Sequence, residues 1–356
     1  MQVDTITKHF HAQKVLSYGA IYNFIESNRN YGKTWGFNRR AKRRAEKRGK
    51  KTIWVRRYTK EAKEACDAFF NSKDLLKFCG LEWYDKDTKK GNLKQKGRKF
   101  YIKRGKRWEW FIHIIALCEA KNVRSVDDVD VDTIVFDEYT TTPEKYKFYR
   151  GNEVEDFIDT FFSTKREHVV RCYFLGNKES HVNPYFNYFQ IPELPDTWEG
   201  IKTFRNGSIA LQRINNKQNK TNDKNGQNEK YDKQLIDLFK NTKYGDYIYK
   251  SKTKTTHNIK IGKAVNGSYY TQLFIDGQYL TINIASGNYY VKRGYNKSLP
   301  TYCLQDVNIK NHFILTKRLR KYFIALENAF IDGRIYYTSQ AVYEYITPFY
   351  KWLTII

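Results

Sequence analysis

Two short segments, far apart in the chain, restrict its fold more than any other feature. Residues 23–34 read Asn-Phe-Ile-Glu-Ser-Asn-Arg-Asn-Tyr-Gly-Lys-Thr: an apolar stretch, a polar turn, then Gly32, Lys33 and Thr34 opening a basic helical segment. Residues 133–138 read Thr-Ile-Val-Phe-Asp-Glu, an apolar strand that ends in adjacent carboxylates. A phosphate-binding turn needs backbone N–H groups aimed at the anion, a Lys that reaches the β- and γ-phosphate oxygens, and a hydroxyl for Mg²⁺. Lys33 and Thr34 supply the last two. Asp137 is the candidate partner of Thr34 in the Mg²⁺ shell, and Glu138 is placed to polarise an attacking water. The double carboxylate favours hydrolysis of ATP over its use as a phosphoryl donor. The usual spacing, Gly-x-x-x-x-Gly-Lys-Ser/Thr, is met except at Ser27, which stands where the first Gly belongs. The candidate ATP-binding turn is therefore Ser27, Asn28, Arg29, Asn30, Tyr31, Gly32, Lys33 and Thr34.

Either segment alone is weak evidence, since Tyr-Gly-Lys-Thr is a common tetrapeptide and many strands end in acids. Together they are stronger, because each has the right context: a strand before the turn, a helix after it, and carboxylates at a strand's end. Strand, phosphate turn and helix form the arrangement in which helix N-terminal N–H groups meet an anion.

Charge points to a second partner. Sixty-four Lys and Arg against thirty-eight Asp and Glu give +26, and the excess is clustered. Residues 39–51 hold nine basic side chains and one acid, Glu46; residues 86–107 hold eleven against Asp87. Such blocks are either solvated faces or the footprint of a polyanion, whose neutralised phosphates release counterions. Tyr58, Tyr101, Trp108 and Trp110 lie among them and are candidates for stacking on bases. No run approaches the roughly 18–20 apolar residues of a membrane span, and no charged region followed by an apolar one opens the chain. Neither a membrane partner nor a leader peptide is expected. Five scattered cysteines without a Cys-x-x-Cys pair, and seven scattered histidines, suit buried thiols in a reducing cytoplasm rather than a zinc site.

At 356 residues the chain has room for two domains. Residues 1–200 alternate strands (21–25, 52–56, 100–103, 133–136, 169–175) with helices (33–48, 61–70, 153–164), the pattern of an α/β domain. Residues 201–249 read as a linker or lid, with a polar run at 215–230 and a helical segment at 231–241. From 250 to 356 short alternating strands (258–263, 269–275, 278–284, 288–292) are divided by Val-Asn-Gly, Asp-Gly and Ser-Gly-Asn turns. Helical segments follow at 317–331 and 339–353. This is a small α+β domain.

The chain resembles the DNA-packaging ATPases, or encapsidation proteins, of small tailed bacteriophages of the phi-29 type. The resemblance rests on Lys14-Val15-Leu16-Ser17-Tyr18, Arg29 with Gly32-Lys33-Thr34, Ile53-Trp54-Val55-Arg56-Arg57-Tyr58, and residues 133–138. It continues through Arg171-Cys172, Asn183-Pro184-Tyr185-Phe186, Leu319-Arg320-Lys321 and Ala329-Phe330-Ile331-Asp332-Gly333, in the same order along nearly the whole chain. It implies an additional-strand (ASCE) P-loop ATPase domain followed by an RNase H-like domain, a vestigial nuclease. It implies ATP and Mg²⁺ as cofactors and a homo-oligomeric ring, usually pentameric, that docks on the phage portal (connector). There it drives double-stranded DNA into a prohead in the host cytoplasm, with a scaffold RNA as a further candidate partner. A ring of this kind needs a cation donated in trans, for which Arg166 comes first, then Lys165 and Arg171; Lys121 resembles a second trans-acting residue. Asn177 resembles the polar sensor of the γ-phosphate, and Arg56, Arg57 and Lys60 are the candidate contacts to the DNA backbone. Two other readings remain: a terminase-like enzyme with an active C-terminal nuclease, and a nonenzymatic nucleic-acid-binding protein.

Overall fold

Strands that bury every residue in succession form the centre of a sheet covered on both faces. The computed structural model describes residues 10, 13–27, 31–119, 129–140, 153–165, 168–177, 183–192, 194–195, 198–214, 259–305, 307, 309 and 312–353. They fall into two units, one from Met1–Thr140, Arg150–Lys178 and Pro195–Ser251, the other from Thr141–Tyr149, Glu179–Leu194 and Lys252–Ile356. The first unit runs α1 (Gln13–Ser17), β1 (Tyr22–Ser27), α2 (Lys33–Arg48), β2 (Lys51–Arg56), α3 (Thr59–Ala68) and α4 (Lys73–Cys79). It continues with β3 (Leu93–Lys96), β4 (Lys99–Arg104), β5 (Arg107–Ala116), β6 (Val131–Asp137), α5 (Glu153–Lys165), β7 (Arg171–Asn177), β8 (Gly200–Phe204) and β9 (Ile209–Ile214).

The strand order is β3-β4-β5-β2-β6-β7-β1-β9-β8. The strands from β5 to β9 in this order are mutually parallel, and antiparallel pairings close both edges. Strand β7 is inserted between β1 and β6, with Ser27 opposite Asn177 and Asp137 opposite Leu175. The pairing of Val55 with Phe136 brings Arg56 level with Asp137. Beneath these ends Phe24 stacks on Phe174 at 4.3 Å, and Phe136 stacks on Phe157 of α5 at 5.6 Å. All four rings are fully buried.

Two expectations change here. Residues 201–214, expected in a linker, form all but the first residue of the hairpin β8–β9, whose turn uses left-handed Arg205, Asn206 and Gly207; the rest of the expected linker, 215–249, lies outside the described residues. Ile209, Ala210 and Leu211 are buried on β9, which lies between β1 and β8. The basic block at 86–107 supplies β3, β4 and the start of β5. Its aromatics are engaged within the chain: Lys94 Nζ lies 4.0 Å from the ring centres of both Tyr84 and Trp108, and Lys51 Nζ lies 4.9 Å from that of Trp110. Their own lysines cover these rings.

The second unit contains α6 (Pro184–Phe189), β10 (Lys260–Ile261), β11 (Ser268–Ile275), β12 (Gln278–Ala285), β13 (Asn288–Arg293), β14 (Thr301–Cys303), β15 (His312–Ile314), α7 (Ile324–Ile331), β16 (Ile335–Tyr337) and α8 (Gln340–Trp352). Its sheet has the order β10-β16-β13-β12-β11-β14-β15. The β11–β12 and β12–β13 turns place Asp276-Gly277 and Ser286-Gly287 at positive φ, as two-residue hairpin turns demand. The helix expected over 317–331 opens as 3₁₀ over Lys317–Phe323 and becomes α only at Ile324.

All five cysteines are described and reduced. Burial pushes the Cys66 thiol up to about 11 and the Cys79 thiol up to about 12, and raises the Cys172 thiol as well. Cys303 is also buried, whereas Cys118 is only half-buried. Iodoacetamide at pH 8 should therefore alkylate Cys118 first, with the other four reacting only after denaturation, because the thiolate is the nucleophile. Peptide mapping that found Cys79 or Cys172 modified alongside Cys118 in native protein would contradict this packing.

Candidate nucleotide site

In a parallel α/β sheet, ligands bind outside the carboxyl ends of the strands. Here those ends carry Ser27 on β1, Arg56 on β2, Asp137 on β6, Asn177 on β7 and, one residue from its end, Arg213 on β9. Gly32 caps α2 with φ 73° and ψ 20° and makes no side-chain capping bond. That left-handed conformation costs a residue with a Cβ, so glycine is the fitting residue. The first turn of α2 contains no acid and contains Lys33. The first-turn N–H groups and the positive end of the helix dipole thus add to the Lys33 charge, which makes the turn suited to an anion.

Lys33 is buried, and its Nζ donates to Ser27 Oγ at 2.6 Å and to Asn177 Oδ1 at 3.2 Å. Ser27 is the last residue of a strand paired to both neighbours, so its backbone is extended and a side chain is accommodated where a Gly was expected. Its hydroxyl holds the lysine.

The carboxylates form the opposite wall. Burial raises the Asp137 carboxyl above the usual carboxylate range; Arg56 opposes this, Glu138 adds to it and Lys33 opposes it. Arg56 spans the pair, with Nη1 3.4 Å from Asp137 Oδ2 and Nη2 2.7 Å from Glu138 Oε2. The Glu138 side chain is 66% exposed, and its backbone is left-handed at φ 57°. Thr140 Oγ1 donates to the Asn177 carbonyl at 3.0 Å, tying the loop after β6 to the end of β7.

Ser27, Lys33 and Asn177 are therefore in direct contact, and Asp137 and Glu138 are joined through Arg56. Thr34 follows Lys33 in the first turn of α2, and Tyr31 packs its ring 6.4 Å from that of Phe10. Lys165 ends α5, and Arg171 opens β7 at the end remote from Asn177. Asn28, Arg29, Asn30, Lys121 and Arg166 lie outside the described residues.

The proposed DNA contacts at the end of β2 require correction. Arg57 is 4% exposed and donates to Glu153 and to main-chain carbonyls, and Arg56 is held by two carboxylates. Neither presents a guanidinium to a partner. Lys60 does reach solvent, 3.9 Å from Glu64. A broader basic surface lies along α2, where a cavity of about 420 Å³ is lined by Arg39, Arg40, Arg43, Arg44, Lys47 and Arg48. Asp132 pairs with Arg44 there. Burial lowers the basicity of Arg40 and Arg44, and neighbouring arginines lower it further.

The sequence reading passed over a buried network below the site. Glu26 Oε2 accepts from Arg213 Nε and Nη2 at 3.0 and 2.9 Å, and Glu26 Oε1 accepts from Tyr139 Oη at 3.1 Å. One signal for it was available: a lone acid in one apolar strand and a lone arginine in another, each too costly to bury unpaired.

A family model described as "Podovirus DNA encapsidation protein (Gp16)" matches residues 5–351. The DNA packaging protein of Bacillus phage phi29 is 27% identical over 346 residues, 94% of each chain. That of Bacillus phage B103 is 26% identical over 336 residues, 92% of this chain and 95% of its own. Among solved structures, a chain of the bacteriophage Phi-29 viral genome packaging motor assembly superposes with a TM-score of 0.72 at 21% identity, covering 98% of this chain and 100% of that one. The Phi-28 gp11 DNA packaging motor gives 0.63 at 18% identity, covering 97% of each. These two likenesses carry the fold.

Gly32→Ala should leave the fold intact but weaken ATP binding about tenfold, since a left-handed Ala costs about 1–2 kcal/mol. Equilibrium titration with a fluorescent ATP analogue tests this, and an unchanged affinity would show that the turn tolerates a Cβ.

Proposed function

This chain belongs to the podovirus DNA encapsidation protein (Gp16) family, and on that premise we propose that it is the ATP-driven motor of viral DNA packaging. The observation that carries the reading is the meeting of Lys33, Ser27 and Asn177 with the Asp137–Arg56–Glu138 wall, at the carboxyl ends of parallel strands and the N-terminus of α2.

The residues divide the work as follows. Backbone N–H groups of the Gly32 turn and the Lys33 ammonium hold the phosphates of ATP. Thr34 and Asp137 offer hard oxygen donors of the kind Mg²⁺ takes, and the ion when bound would neutralise charge on the β- and γ-phosphates. Glu138 orients a water for in-line attack, its carboxylate exposed to solvent and held by Arg56. Asn177, already bonded to Lys33, is suited to report on the γ-phosphate. A cation from a neighbouring subunit would complete the site, with Arg166, Lys165 and Lys121 as candidates. That arrangement needs a ring, pentameric by resemblance, on a phage portal, with a scaffold RNA a further candidate. The basic face of α2 is the surface suited to phosphate contacts, which carry no sequence information and so suit a motor that moves any sequence.

For the second unit, a three-stranded antiparallel meander continued by parallel β14 and β15 supports the RNase H-like reading. Its carboxylates do not favour an active nuclease. Asp276 forms a hairpin turn, Glu327 pairs with Arg320, Asp332 pairs with Arg334 and Glu344 is buried. Asp306 lies outside the described residues.

Steady-state ATP hydrolysis with and without double-stranded DNA is the test. Glu138→Gln should lower turnover by roughly 10²–10⁴-fold, the usual contribution of a positioned acid–base group, while ATP still binds. Normal turnover in that variant would sink the assignment. Separately, Arg43→Glu with Lys47→Glu changes two exposed residues of α2. The pair should weaken duplex binding and lower the slope of log affinity against log salt by about 2, at about 0.9 per phosphate contact. A slope equal to that of the unmodified chain would exclude this face.

A further inference from the structure

Among the described residues of the site, Glu138 is the non-glycine backbone outlier. Its φ of 57° lies in the left-handed region, where a Cβ crowds the following carbonyl. A residue stays there only if its surroundings over-determine it, and such residues cluster where function requires the shape.

The surroundings are specific. Tyr139 N–H donates to the Leu175 carbonyl at 3.3 Å, its phenol to Glu26, and the Thr140 hydroxyl to Asn177. Those bonds fix residues 139 and 140. The side chain that reaches the carbonyl of Glu138 itself is Arg57, with Nη1 at 3.4 Å, while its Nη2 donates to the Tyr139 carbonyl at 2.8 Å. The third arm of the same guanidinium, Nε, donates to Glu153 Oε2 at 2.8 Å. Glu153 is fully buried at the start of α5, and the guanidinium lies over Phe136 with its carbon 5.7 Å from the ring centre. Arg57 therefore has a charge partner, an aromatic floor and two carbonyls as targets, all within the first unit.

We propose that Arg57, neutralised by Glu153, is a positioning residue that sets the left-handed backbone of Glu138 and so aims its carboxylate. Its importance for turnover rests on the preceding reading that Glu138 orients the attacking water; its hold on the backbone does not. A guanidinium suits the task because its donors are rigid and coplanar and can serve three acceptors at once, which a flexible ammonium cannot. Arg57 touches neither phosphate nor water in this scheme. It acts through residue 138.

The full-length chain is tested with Arg57→Lys, which keeps a cation beside Glu153, and with Glu153→Gln, which keeps an acceptor for Nε. Hydrogen exchange measured by mass spectrometry on a peptide spanning residues 137–140 should quicken in both variants. In ATPase assays Arg57→Lys should lose about 100-fold in kcat, the scale of a small misplacement, with equilibrium ATP affinity within about twofold. Combined with Glu138→Gln it should cost nothing further, because its effect passes through that carboxylate. Unchanged exchange in both variants, or a loss additive to that of Glu138→Gln, overturns the proposal. A parallel fall in ATP affinity and melting temperature in Arg57→Lys, which keeps the charge pair, does so too, since it marks a general structural role. Should the unmodified chain fail to hydrolyse ATP, the catalytic reading falls, and the exchange data still decide whether Arg57 holds the loop.

Discussion

Two ion pairs buried beneath the strand ends, Glu26–Arg213 and Arg57–Glu153, hold the geometry on which the site depends. They are not the main source of stability. A buried ion pair comes close to neutral against an apolar pair of similar shape, whereas each fully buried ring among Phe24, Phe136, Phe157 and Phe174 contributes about 1.5–3 kcal/mol. The aromatic layer keeps β1, β6, β7 and α5 together, but apolar contacts tolerate small slides. Directional bonds to charged groups do not. Glu26 joins β1 to β9 and grips the Tyr139 phenol; Arg57 grips the carbonyls of residues 138 and 139. The loop after β6 is thus clamped from two sides, and removing one member of either pair would strand a buried charge at several kcal/mol.

The phosphate turn was legible because its information is local. The strand at 22–27 and the helix at 33–48 are only five residues apart in sequence, and a glycine before Lys33 states its own backbone requirement. The Asp276-Gly277 and Ser286-Gly287 hairpins were legible for the same reason. The edges of the first sheet were not. Between 86 and 107 lysines and arginines occupy so many positions that β3 is hidden, although β4 shows through at 100–103, and the apolar strand β9 sits next to a polar run that reads as linker. Adjacent in sequence at a strand end, Arg56 and Arg57 look alike as contacts to a DNA backbone. Their fates separate through carboxylates far along the chain: Asp137 and Glu138 take the first, and Glu153 takes the second. Periodicity carries no trace of such a partner.

Ser27 shows how a departure from a sequence pattern becomes intelligible in three dimensions. A first glycine is needed where the chain must leave the strand in a conformation closed to other residues. Here the strand continues through position 27, paired to Asn177 on one side and Ile214 on the other. The demand for a left-handed residue falls on Gly32 alone among the described residues of the turn. The hydroxyl then gives Lys33 an acceptor beside Asn177, so the ammonium is held at the strand ends rather than among the arginines of its own helix.

Helix α2 joins two anion-seeking surfaces in one rigid rod of about 24 Å. Its N-terminus carries a dipole and a lysine with no acid in the first turn. Its flank carries six cations, with Asp132 meeting Arg44 among them. A solvated, mixed-charge helix would intersperse acids, which cost nothing on an exposed face and relieve repulsion at i, i+4. Lys42 has such a partner in Glu46, away from the cavity, whereas Arg40 and Arg44 are made less basic first by burial and then by the arginines around them. Crowding of this kind is relieved by phosphates that approach from outside. The same rod would then meet nucleotide phosphates at its tip and backbone phosphates along its side. A helix has no joint between those two points, so a displacement imposed at Gly32 must be carried to Arg43 and Lys47.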